Sequence, residues 1–281
     1  MLDFRHTVPI AGIALLNVLT LSCSSKPSGP TPGTPAFFWA AAMEAYRNGD
    51  YLKAYDHLGN VVRKQNEYSA RCHIGLIALS SGISHGLMSM TSTLEGGLRI
   101  SRDAAPTFRK QITVLRNAAN APALQFAESV HEFLKENKED SVRLSLPWPP
   151  VQPAEPPLLA KTTKGMALQP AEFEVVRRAM VQRGVVEATA RLVGAPGDTA
   201  KAKAVFDQPE ASVPRAVFLL AVAESLLSVS ELYSPKQLDY PNRTRILLSE
   251  AVGAIDAAPP TAQSKKLKAK IEAVLKKLRP T

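Results

Sequence analysis

Three short stretches carry residues whose chemistry has to be weighed first. Gly82 to Gly86 reads GISHG, a G-x-S-x-G pattern. In that pattern a turn from strand to helix pushes the serine forward as a nucleophile, with an acid and a distant histidine to activate it. Here the residues before Ser84 read as helix, and only His85 and His131 follow it, so His131 would have to be the base. A turn between two helices is the better account of both glycines. The second stretch, HEFLK from His131, begins like H-E-x-x-H, but Lys135 stands where the second zinc ligand belongs. His57, His73, His85 and His131 are scattered among helical segments and form no ligand cluster. With no Gly-rich phosphate loop either, the expectation is a non-enzyme with no cofactor, no metal and no small-molecule substrate.

The third stretch is LTLSCSSKPSGPTPGTP, Leu19 to Pro35, where an apolar run stops at Cys23 and turns into Ser, Pro and Gly. Arg5 and His6 precede a mostly apolar segment from Val8 to Leu21. Its 14 residues are too few for a bilayer, which needs about 20, and suit the core of an export signal. The arrangement resembles the lipobox of bacterial lipoproteins, with Thr20 and Leu21 departing from the usual residues at their positions. The resemblance implies a signal peptide over 1–22, acylation of Cys23 and a new N-terminus there. It also implies an outer-membrane location facing the periplasm, because no Asp follows the cysteine. A plain signal peptide or an uncleaved anchor helix is the alternative. Residues 23–35 form the expected tether: Ser24 to Pro35 holds four Pro, two Gly and no apolar side chain, so it cannot bury a core. Each buried acyl methylene contributes about 0.8 kcal/mol, and several chains together anchor firmly. With Cys23 modified, Cys72 has no partner within the chain and reads as a buried thiol.

The elements behind these stretches are helical. The chain has 281 residues, 45% hydrophobic and only 6% aromatic, with a net charge of +9. Apolar residues recur at helical spacing, and no stretch alternates as a half-buried strand does. The spacing predicts helices over 36–48, 51–64, 69–81, 84–99, 103–119 and 122–138, then 170–193, 199–207, 213–233, 243–257 and 262–278. Between these sets lies PWPPVQPAEPP, residues 147–157, with six prolines in eleven positions. No helix or central strand survives that density. The expected organisation is therefore all-α: a domain over 36–140, a Pro-rich linker over 145–160 and a second helical domain over 161–281. A Pro-rich docking motif anchored by Trp148 is the other reading of the linker.

NGDYLKAYDHLGNVVRK, Asn48 to Lys64, resembles the second helix of a tetratricopeptide repeat, a 34-residue helical hairpin. Gly49 and Asp50 make the turn, Tyr51 packs inward, and Ala54 allows close approach. Leu58 stands where an aromatic is usual, Val61 replaces an alanine, and no proline closes the unit. ARCHIGLIALSSG looks like the start of a second unit, and Ala251 and Ala254 before Pro259 faintly match another. The resemblance implies stacked hairpins with a concave surface that grips a peptide or helix. In the register set by Gly49, that surface takes Trp39, Met43, Tyr46 and Arg47, at i, i+4, i+7 and i+8. The same stripe could instead be core.

The C-terminal stretch SKKLKAKIEAVLKKLRPT holds seven Lys and Arg against Glu272. Leu267, Ile271, Val274, Leu275 and Leu278 form one stripe of it, which could lie on anionic headgroups or envelope polymer, or could pack on the domain with its lysines in water. Taken together, the sequence points to an anchored envelope scaffold whose partners are envelope proteins and not nucleic acid. A binder of anionic envelope polymer or lipid is the competing reading.

Overall fold

The computed structural model describes residues 29–150 and 156–278, so Cys23, the expected signal segment and the start of the tether lie outside the described residues. The fold is all-α. In chain order it comprises α1 (Pro35–Arg47), α2 (Tyr51–Val61), α3 (Ser69–Ile100), α4 (Ala105–Glu136), β1 (Ser141–Arg143), α5 (Leu159–Thr162), α6 (Pro170–Leu192), α7 (Thr199–Phe206), β2 (Ser212–Pro214), α8 (Arg215–Ser230), α9 (Pro241–Asp256) and α10 (Ala262–Lys277). A single 3₁₀ turn, Glu231–Tyr233, extends α8.

Local chemistry sets most helix starts. Pro35 opens α1, and the Thr34 hydroxyl accepts from the Phe37 N–H at 3.3 Å. Gly49 takes φ +70°, a left-handed value that ends α1 without a Cβ penalty, and Asp50 caps α2 through the Lys53 N–H at 3.3 Å. Pro170 opens α6 while the Glu172 carboxylate accepts from the Gln169 N–H at 3.0 Å. Thr261 caps α10 through the Ser264 N–H at 3.0 Å.

Four expectations are corrected. The helices expected over 69–81 and 84–99 are one 32-residue helix, α3, about 48 Å long at 1.5 Å per residue. Those expected over 103–119 and 122–138 are likewise one, α4, with Pro122 inside it. An interior proline removes one helical donor at a cost of about 3 kcal/mol; burying the Pro122 ring in the core offsets part of that. Of the helix expected over 213–233, Val213 and Pro214 belong to β2, and α8 starts at Arg215. The fourth is β1–β2 itself, a short antiparallel ribbon pairing Val142 with Val213. Three residues per strand are too few to register as an alternating pattern.

The glycines of α3 explain its continuity. α3 packs along α4 on one side and α6 on another. At the crossing with α6 a Cβ on Gly82 would lie 2.5 Å from the Val185 Cα, and one on Gly86 2.3 Å from the Met180 carbonyl oxygen. A Cβ on Gly184 of α6 would lie 2.1 Å from the Gly82 carbonyl oxygen. The two backbones touch, so the glycines mark a helix contact and not a turn.

One hydrophobic cluster runs through both halves of the chain, from Ala42 to Ile271. Phe133 of α4 meets Phe218 of α8 with ring centroids 5.1 Å apart. A smaller cluster gathers Trp148 against Val186, Ala190, Val193 and Ala202, with Phe206 at 5.6 Å. Trp148 is thus spent on an internal contact. The Pro-rich segment separates the halves in sequence, but the core does not divide there.

α3, and α8 together with the 3₁₀ turn that extends it (Arg215–Tyr233), are each long and apolar enough to cross a membrane by length and composition, yet 72% and 61% of those windows are buried. Neighbouring helices cover their apolar faces.

Candidate functional site

The α1 surface was expected to present Trp39, Met43, Tyr46 and Arg47. Tyr46 is the correction among them. It is 1% exposed, its ring lies 5.1 Å from that of Tyr51, and its hydroxyl donates to the Pro147 carbonyl at 2.9 Å. Burial raises its phenol well above the ordinary range. With Ala42 and Ala45 it forms the core face of α1, because a tyrosine whose hydroxyl finds an acceptor can be buried without a lost hydrogen bond. Trp39 and Met43 are half-buried at the edge of that face, packed against the core, and Arg47 is exposed in the last turn.

What sits beside Trp39 was not read from the sequence. The guanidinium of Arg71, near the start of α3, lies over the Trp39 ring at 4.9 Å and over the Tyr68 ring at 4.1 Å, and the two rings are 6.1 Å apart. A cation over aromatic faces is attracted by the ring quadrupole, about 0.5–1 kcal/mol at an exposed site. Tyr68 and Arg71 stand at i, i+3, the one local signal available; the approach of Trp39 depends on how α1 packs on α3. The result is a half-exposed platform of two aromatic side chains and one cation.

The residues considered for catalysis are elsewhere. Ser84 is fully buried in the interior of α3 with no hydrogen-bond partner for its hydroxyl among the described residues. The strand-to-helix turn that a nucleophilic serine needs is replaced by continuous helix. His131 pairs with Glu250 at 3.2 Å on the α4–α9 side. Among the described residues no group of three or more His, Cys, Asp or Glu side chains could hold a metal ion. Cys72 is buried, and burial pushes its thiol up to about 12.

His85 carries a pH consequence. Burial, helped by Arg191, brings its imidazole down from 6.5 to about 4. Between those values the unfolded chain binds a proton that the folded chain refuses, so stability is intact above 6.5 and falls as pH drops through this window. The loss should approach about 3 kcal/mol by the bottom of it. His73, also lowered by burial, acts with the same sign. Urea midpoints measured across the window should therefore decline for the parent chain and decline less for His85→Gln.

α10 buries Ile271 and packs Leu267, Val274 and Leu275 on the core, leaving Lys265, Lys266, Lys270, Lys276 and Lys277 in solvent. No family model matches the chain, and no curated protein or solved structure matches it significantly.

Proposed function

We propose that this chain is a non-catalytic lipoprotein of the cell envelope, anchored through Cys23, that binds another envelope protein through the exposed edge of α1 and the start of α3. The observation that carries the reading is the Trp39–Arg71–Tyr68 platform, with Met43 and Arg47 beside it. Trp, Tyr and Arg dominate interface energetics. In this reading α1–α2 is a tetratricopeptide-like unit. Its support is the Gly49 turn and the burial of Tyr51, Ala54 and Leu58, while the lengths of α3 and α4 set the rest apart from a regular repeat array. The outer membrane is the proposed address, on the resemblance around Cys23.

A photocrosslinker at position 47, used in cells, should capture one discrete envelope protein, and Trp39→Ala with Arg71→Ala should abolish the capture. Labelled palmitate should enter the parent chain and not Cys23→Ala. Absence of label from the parent would remove the anchor, and capture indifferent to the platform variants would remove the binding surface.

The exposed lysines of α10 favour a second reading, binding of an anionic envelope polymer. Such binding would weaken steeply with salt, whereas platform capture would not.

A further inference from the structure

Around the C-terminal end of α3 and the facing part of α4, three large apolar side chains stand in solvent. Ile100, the last residue of α3, is 61% exposed, Met166 is 49% exposed, and Val114 of α4 is 42% exposed. Ile100 and Met166 belong to one surface, and Val114 lines the groove that opens beside it. Gly165, at φ +75°, turns the segment after α5 against the α3 end so closely that a Cβ on it would lie 3.1 Å from the Ser101 Cβ and 3.3 Å from Ile100 Cγ1. The Gln111 side-chain amide then ties the same segment to α4, donating to the Leu168 carbonyl at 2.7 Å. Between them runs a groove of about 850 Å³ lined by Pro106, Val114, Ala167, Leu168 and Phe173.

Around this apolar surface stand Arg99, Arg102, Lys110 and Lys164, all exposed, and among the described residues none of them has an ion-pair partner. Asp103 is the acid set among them; Glu172 and Glu174 at the start of α6 are engaged by Lys161 and by Arg177. Unpaired cations next to exposed apolar side chains match the two attractions of a bilayer interface, anionic headgroups above and acyl chains beneath. A symmetric contact with a second copy would instead set the same four cations against one another.

We propose that this tip is a membrane-contact face that rests on an anionic phospholipid bilayer, with Ile100, Met166 and Val114 in the headgroup–acyl boundary. The contact does not depend on acylation of Cys23.

The test uses the full chain carrying Cys23→Ser, so that no acyl chain can hold it, in flotation with vesicles of phosphatidylglycerol mixed with phosphatidylcholine and of phosphatidylcholine alone. The chain should float with the anionic vesicles only. Replacing Arg99, Arg102 and Lys164 together by Gln should lower partitioning about a hundredfold, since each surface cation contributes about 1 kcal/mol. Ile100→Asp with Met166→Asp should also release it, while Lys265→Gln with Lys266→Gln on α10 should not. Unchanged thermal unfolding would confirm that the variants remain folded, and residues 1–22 are common to all of them. The proposal is overturned if the tip variants float like the parent, if neutral vesicles bind equally, or if the chain stays unbound, whether or not Ile100→Asp converts a dimer to a monomer.

Discussion

Gly184→Ala is expected to lower stability by about 2–4 kcal/mol, even though alanine is worth about 1 kcal/mol more than glycine in a helix interior. The new Cβ would lie 2.1 Å from the Gly82 carbonyl oxygen and within 2.9 Å of the Gly86 Cα. Those are backbone atoms, so no side chain can rotate away, and α3 and α6 would have to separate along their contact. Gly96 provides the control. It lies in the same helix α3, and a Cβ there meets nothing within 4 Å. Gly96→Ala should therefore stabilise by about 0.5–1 kcal/mol, through helix propensity alone. Urea unfolding of the two variants should give shifts of opposite sign. Equal shifts would mean that α3 and α6 do not meet where described.

Phe218→Ala is expected to cost about 3–5 kcal/mol, the range for removing a fully buried aromatic side chain. The informative part is how the loss is distributed. Phe218 belongs to α8, and its ring packs on Phe133 of α4, across the Pro-rich segment in sequence. Because one cluster joins the halves, the variant should still unfold in one transition, at lower urea. Trp39 reports from α1 in the first half and Trp148 from its contact with α6 and α7 in the second, so their combined fluorescence and the far-ultraviolet dichroism should give coincident curves. Two separated transitions would show that the halves are independent.

The helices of this protein were legible where a local device announces them. Gly49 with Asp50, read as a turn, lies where the structure stops α1 and starts α2, and the starts expected at 170 and 262 fall where Pro170 with Glu172 and Thr261 act within one turn of chain. Devices with two uses were misread. Glycine serves a turn and a close helix contact equally well, and only the presence of Val185 and Met180 across from Gly82 and Gly86 decides between them. Pro122 likewise reads as a boundary until its burial within α4 is known. Tyr46 shared the spacing of Trp39 and Arg47, but a hydroxyl acceptor 101 residues away, on Pro147, turned it inward. The Trp39–Arg71–Tyr68 platform was invisible for the same reason: its members are brought together by packing and not by spacing along one helix. The exposed tip around Ile100 and Met166 was hidden too, because solvent exposure of an apolar residue is a property of the assembled surface.

The ribbon of β1 and β2 has one more implication. It ties positions about seventy residues apart, and Phe133 on Phe218 and Tyr46 on Pro147 fasten the flanking segments further. A single cut of the chain between the two halves would therefore leave two fragments gripping each other side by side.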